Sequence, residues 1–205
     1  MLVRSYYYRP MGLRTDTKER MVDAALGLFQ RQGFDRTGFS EILRESGAAR
    51  GAIYHHFPGG KEELALEVVK ESTSRITDRV RRTAGGRSPS TALRRYIAET
   101  IANLEANDYA DGCPLAPIAL ETTNWSEPIR HAVRNAFETW RQAIESALVS
   151  AGASRAKARR LGEVVIASIE GAIIMARTSR HPAPLRAVAD VLGPLLDQVV
   201  EEAIA

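Results

Sequence analysis

Apolar residues return at three- and four-residue intervals along almost the whole of this 205-residue chain, and no stretch of four or more alternates as a strand would. A period near 3.6 puts those residues on one side of a helix, so the spacing predicts an all-α fold. Glycine and proline mark where the helices break. Asp16 or Thr17 can cap a first helix carrying Val22, Leu26 and Phe29, and Gly33 suits the left-handed residue that ends it. Thr37 can cap a short second helix over 38–46 with Ile42 and Leu43 inward, closed by Gly47. A third, over 49–57, stops before Pro58 because proline disfavours helical geometry at the preceding residue. Longer helices are predicted over 61–82, 91–107, 113–121 and 127–151, then as a final pair over 155–179 and 185–203, with a kink at Gly193-Pro194.

Charge and cysteine content narrow what such a helical chain can be. Lys and Arg total 28 against 25 Asp and Glu, but residues 1–95 hold 18 basic and 11 acidic side chains while 96–205 hold 10 and 14. A basic front half suits a polyanion, and an acidic, apolar back half suits self-association or a small ligand. Most of the basic residues are Arg, which favours bidentate contact to phosphate or guanine, although genome base composition can produce the same bias. Cys113 is the lone cysteine, which removes any intramolecular disulfide framework and points to a reducing, cytoplasmic compartment. The most apolar stretch, 164–176, contains Glu170 and falls short of the roughly 20 residues a membrane span needs. Residues 1–15 carry Arg4, Arg9 and Arg14 without an apolar run; they read as a disordered basic arm rather than a signal peptide, with Met11 an alternative start.

Between Gly33 and Lys61 the pattern becomes specific. Two short helices joined by a glycine-containing turn are the helix-turn-helix plan, in which the second helix enters the DNA major groove. At 100° per residue Ile53 and Phe57 point inward, while Gly51 and His55 lie opposite, flanked by Ala52 and Tyr54. Lys61 is a further clue: a cation in the first turn of a helix opposes the macrodipole at a cost of roughly 0.3–1 kcal/mol. A DNA phosphate held by the ammonium and the free N–H groups of the helix start would compensate; an exposed lysine with a slight penalty is the plain alternative.

The run 17–69 resembles the DNA-binding domain of TetR-type transcriptional regulators, through Ala24-Ala25, Phe29, Gly33-Phe34, Thr37, Ile42, Gly47, Gly51, Tyr54, Phe57, Lys61 and Leu64. The His55-His56-Phe57-Pro58-Gly59-Gly60-Lys61 turn, Gly112-Cys113-Pro114, Ala119-Leu120-Glu121 and Glu170-Gly171-Ala172 are similar to the LmrA/YxaF branch. The resemblance implies an N-terminal three-helix helix-turn-helix domain over 16–62, then a six-helix ligand-binding and dimerisation domain over 63–205. By position it implies that Thr37 caps the second helix and touches a phosphate, that Arg50, Gly51 and Ala52 face bases, that Tyr54, His56 and Lys61 grip the backbone, and that His55 lies near either. Arg50 is the best guanine reader present. Ala49 stands where many family members have Ser or Thr, so a hydroxyl is missing and a slightly weaker contact is expected there.

Homodimerisation through the last two helices is also implied, and the residues support it independently. Leu161, Val165, Ser168, Ile169, Ala172, Ile173 and Ala176 crowd one face of the penultimate helix, and Val188, Leu192, Leu195 and Val199 keep a near-heptad step on the last. Either the chain's own core or a partner can bury them; the resemblance favours a partner. It also places a ligand among the middle helices, which makes Tyr96, Asn103, Tyr109, Cys113, Leu120, Trp125, Phe137, Trp140, Glu170 and Met175 pocket candidates. Each has an ordinary alternative: Trp140 shares a stripe with Val133, Phe137, Ile144 and Leu148 that reads as core, and Cys113 has no basic neighbour within ten positions to lower its pKa, which favours packing over redox sensing.

His55 and His56 diverge by about 100° on a helix, and His131 and His181 lack partners at ligand spacing, so neither a metal site nor a hydrolase is expected. No cofactor and no membrane partner are expected. The expected function is a cytoplasmic, DNA-binding transcriptional regulator: a repressor released from a palindromic operator by a small hydrophobic or aromatic effector, with an activator or a ligand-independent DNA-binding module of the same fold as the alternative.

Overall fold

The structure is a computed structural model that describes residues 17–204 apart from 87, so the expected basic arm over 1–15 and a cap from Asp16 lie outside the described residues. Nine helices and no strand occur among those residues: α1 (Thr17–Gln32), α2 (Phe39–Ser46), α3 (Ala52–His56), α4 (Gly60–Ala84), α5 (Pro89–Ala106), α6 (Ala116–Thr122), α7 (Glu127–Ser150), α8 (Arg155–Ser179) and α9 (Ala183–Ile204). The all-α expectation therefore holds. None of these helices is long and apolar enough to cross a membrane.

Boundaries differ where capping chemistry differs. Gly33 ends α1 at φ 92°, and Gly47 ends α2 at φ 66°, as the left-handed requirement predicted. Thr37, however, does not cap α2. The N-cap is Gly38, whose N–H is accepted by the Glu41 carboxylate at 3.3 Å, while the Thr37 hydroxyl is buried and donates to the Gly33 carbonyl at 2.7 Å. That backbone hydrogen bond and one from Gln32 hold the Glu41 carboxyl below its ordinary value. The third helix starts at Ala52 rather than 49, and its N-cap, Gly51, has no side chain to accept the first N–H groups. α5 gains a true cap in Ser88, with Pro89 in its first turn. α9 runs on through Pro194.

The chain divides into two compact units, one formed by residues up to Ser72 with Ala110–Ala136, the other by Thr73–Tyr109 with Phe137 onward. In the first, Met21, Leu26, Phe29, Ile42, Phe57, Leu64, Ile118 and Ile129 are almost fully buried. Polar bonds register its helices: Arg20 Nε donates to the Ser46 carbonyl at 3.2 Å, Gln32 Nε2 to Glu41 at 2.9 Å, and Lys18 pairs with Glu67 at 2.7 Å. The second unit has a core of Leu93, Ile97, Leu104, Leu148, Val165, Ile169, Ala172, Ile173, Ala176, Leu185 and Leu196, in which α5 and α8 pack on α9.

Candidate DNA-reading face and effector cavity

The turn before α3 and the outer side of α3 carry the side chains expected to read DNA. Arg50 and Gly51 are exposed in the turn, Ala52 is half-buried, and Tyr54 is 81% exposed. A phenol this open on a helix whose opposite side inserts buried Ile53 and Phe57 is held out to solvent by the packing beneath it. His55 is exposed and His56 half-buried, with ring centroids 4.8 Å apart, edge to face. Arg50, Gly51, Ala52, Tyr54, His55 and His56 thus share one local surface of arginine, phenol, imidazole and small residues.

Two other expected DNA contacts are engaged inside the same unit. Thr37 is 1% exposed and donates its hydroxyl to the Gly33 carbonyl, so the side chain expected at a phosphate serves the turn in this structure. The Lys61 ammonium stands 4.2 Å from the centre of the Phe34 ring and donates to the Asp35 carbonyl at 3.4 Å. Burial pulls its pKa down, against the raising influence of the Asp35 and Glu121 carboxylates. The compensation sought for a cation at a helix start is therefore an aromatic face and two acidic neighbours within the chain. Trp125 packs its ring on Phe34 at 6.0 Å and donates Nε1 to the Glu121 carbonyl at 2.7 Å.

The second unit encloses a cavity of about 100 Å³ between α4, α5, α7, α8 and α9, lined among others by Ile76, Val80, Ala92, Tyr96, Trp140, Ile144, Ala147, Val165, Ile166 and Glu170. Its polar lining groups are partly engaged already: Trp140 Nε1 donates to the Thr73 carbonyl at 3.3 Å, and the Thr83 hydroxyl to the Arg79 carbonyl at 2.9 Å. The Arg79 guanidinium lies over the Tyr96 ring, 4.0 Å from its centre. Of the pocket candidates, Tyr96, Trp140 and Glu170 meet here; the rest do not line this cavity. Phe137 packs edge to face on Trp140 at 5.3 Å, Asn103 is buried on α5, and Tyr109 follows that helix in a left-handed conformation, φ 59°. Burial and a weak Glu105 repulsion raise its phenol pKa. Cys113, Leu120 and Trp125 belong to the other unit, where Cys113 is buried and accepts the Leu115 N–H at 3.4 Å. Met175 is 60% exposed.

The face of α8 expected to meet a partner is turned into the chain's own core: Val165, Ile169, Ala172, Ile173 and Ala176 are all buried. Leu161, Ser168, Val188, Leu192 and Val199 are half-buried, and Leu195 is exposed. The outward side is apolar too, through Val164, Ile174 and Met175 on α8 and Val191 and Leu195 on α9. Val164, Gly171 and Met175 fall within about 40° of one another at 100° per residue. The exposed apolar Val164, Ile174 and Val191 were not among the expected interface residues. An uncovered stripe opposite a covered one was the available signal.

A helix-turn-helix with an exposed reading surface, joined in one chain to an all-helical unit with an apolar cavity, defines a DNA-binding regulator with a second, non-DNA module. Residues 21–68 match the family described as bacterial regulatory proteins, tetR family, and residues 89–191 match the transcriptional regulator LmrA/YxaF-like C-terminal domain. The chain is 34% identical over 182 residues to the HTH-type transcriptional regulator LmrA of Bacillus subtilis, covering 88% of this chain and 97% of that protein. It is 32% identical over 187 residues to YxaF of the same organism, covering 91% and 98%. Among solved structures, a TetR regulator from Legionella pneumophila superposes with a TM-score of 0.77 at 22% identity, covering 91% of this chain and 98% of that one. The chain belongs to the TetR family of DNA-binding transcriptional regulators, in its LmrA/YxaF-like branch, a family of regulators rather than enzymes.

Proposed function

We propose that the protein is a cytoplasmic repressor that binds a palindromic operator as a homodimer and leaves it when a small apolar or aromatic effector enters the α4–α5–α7–α8–α9 cavity. The observation that carries this reading is the exposed surface of Arg50, Gly51, Ala52, Tyr54, His55 and His56, which has the donors and small residues that base edges and phosphates require. The functional division we propose keeps 1–15 as an arm, 16–62 as the reading domain and 63–205 as the effector and dimer domain. A DNA partner is also what argues for the cytoplasm.

A second copy covers the outward apolar side of α8 and α9, since five large apolar side chains left in water over two packed helices are a cost that association removes. An operator then holds two recognition elements about one helical turn, roughly 34–36 Å, apart. A cavity of about 100 Å³ is smaller than the several hundred Å³ that drug-sized ligands occupy, so the effector must favour a swollen state of the second unit. It lowers DNA affinity by its preference for that state over the operator-bound one. The same small volume favours a second reading, a ligand-independent module, in which the cavity is a packing defect.

The test is to select bound duplexes from a genomic library and titrate the recovered fragment with wild type and Arg50→Ala. Arg50→Ala relaxes one base preference by about 1–3 kcal/mol and leaves other positions unchanged. Equal discrimination by both proteins removes Arg50 from the reading face. Derepression of a reporter by aromatic compounds that also raise the melting temperature separates the first reading from the second.

A further inference from the structure

The turn leading into α2 is gripped from outside the helix-turn-helix by α6. Glu121 Oε2 accepts the Asp35 N–H at 2.6 Å, and its carboxylate lies so close over Gly33 that a Cβ there would meet Oε1 at 2.5 Å. Gly33 at φ 92° thus serves two ends, the left-handed bend and the approach of this carboxylate. Lys61 at the start of α4 closes the other side, with its ammonium on the Phe34 ring and the Asp35 carbonyl. Phe34 is itself buried between Phe29, at 5.3 Å, and Trp125.

Further bonds hold the gripping elements in place. Gln30 Nε2 donates to the Gly112 carbonyl at 2.8 Å in a buried bond, and the Ser126 hydroxyl donates to the Glu62 carboxylate. The segment 112–126 is therefore tied to the end of α1, to the turn and to the start of α4. Gly38, the N-cap of α2, follows three residues after Asp35.

We propose that Glu121 is a positioning residue for DNA recognition: with Lys61 it latches residues 33–35 and so fixes where the start of α2 meets the DNA backbone. The Glu121 bond has an ionised acceptor and a backbone donor, the stronger kind of hydrogen bond. The half-buried place of Glu121 on α6 lets it be changed without opening a core cavity.

The proposal rests on the reading that α2 and α3 meet DNA, and the experiment separates the two. Wild type, Arg50→Ala, Glu121→Ala, Glu121→Gln and Lys61→Gln, each checked for native helicity and melting, are titrated with the selected duplex at several salt concentrations. Glu121→Ala weakens binding about tenfold. The slope of log affinity on log salt stays as in wild type, because no phosphate contact is lost. Glu121→Gln, which keeps an oxygen within reach of the Asp35 N–H, recovers most of the loss. Lys61→Gln weakens binding as well. Unchanged affinity in Glu121→Ala or Lys61→Gln, failure of Glu121→Gln to improve on Glu121→Ala, or a slope shallower than wild type in Glu121→Ala each overturns the latch. Loss of the Arg50 effect as well would instead remove the reading face on which the latch depends.

Discussion

The core beneath the helix-turn-helix closes on Phe29 and Phe57, both fully buried, and its surface turns are tied down by side-chain bonds to Gly33, Asp35 and Gly38. The core of the second unit closes incompletely: between Tyr96, Trp140 and Val165 it leaves about 100 Å³, and on the outside of α8 and α9 it leaves Val164, Met175 and Val191 in water. On the proposed function, the contrast follows what each unit would bind. A surface that reads base edges must hold its side chains in place before DNA arrives, because disorder there would be charged against affinity. A unit that takes up a guest or a second copy keeps unfilled volume or uncovered apolar area, since those are what the guest or copy fills.

Three experiments test that contrast, in decreasing order of expected effect. Replacing Val191 and Leu195 together by Glu puts two charges on the outward side of the second unit. The proposed dimer is then expected to dissociate in light scattering, and operator affinity to fall by about a hundredfold or more as avidity is lost. A dimer that survives both charges would mean that this side is not the interface. The second experiment compares equal insertions into the two cores. Ala25→Leu, at a fully buried position of α1, should cost about 1–3 kcal/mol in denaturant unfolding, whereas Ala92→Leu, facing the cavity, should cost less than about 0.5 kcal/mol. Equal costs would abolish the difference in packing between the units.

The smallest effect concerns Glu138, whose carboxyl is pulled down to about 2, first by the Arg141 hydrogen bonds and then by Gln142. A carboxylate depressed in the folded state adds stability above its ordinary value of 4.5 and loses it as pH falls toward about 2. Glu138→Gln should melt slightly lower than wild type at neutral pH, with the gap closing across that acid window. Because the Glu138 side chain is partly exposed while its partner Arg141 is buried and also paired with Glu145, a gap that stays open at pH 2 would assign the loss to packing instead.

Much of the fold was legible because helix signals are local. The spacing of Val22, Leu26 and Phe29, the left-handed requirement at Gly33 and Gly47, and the Pro58 stop depend on residues within a turn or two of each other. The reading surface was legible for the same reason: once α3 is helical, burial of Ile53 and Phe57 forces Tyr54 and His55 outward. The partners of long-range groups were not. Thr37 looks like a cap in sequence, and only the fold places its hydroxyl on Gly33 and leaves the cap to Gly38.

Lys61 makes the limit plain. Its unfavourable place at a helix start was visible in sequence, but its compensation comes from Phe34, Asp35 and Glu121, the last of them 60 positions away. The same holds for α8, whose apolar residues encircle enough of the helix that periodicity cannot say which side meets the core. Spacing determined an all-helical chain, composition a basic front half and an acidic, apolar back half, and the resemblance of its motifs a regulator. Tertiary packing decided which apolar side is buried, which cation is already occupied and where the cavity lies, because each depends on groups that the chain brings together only after its helices have packed.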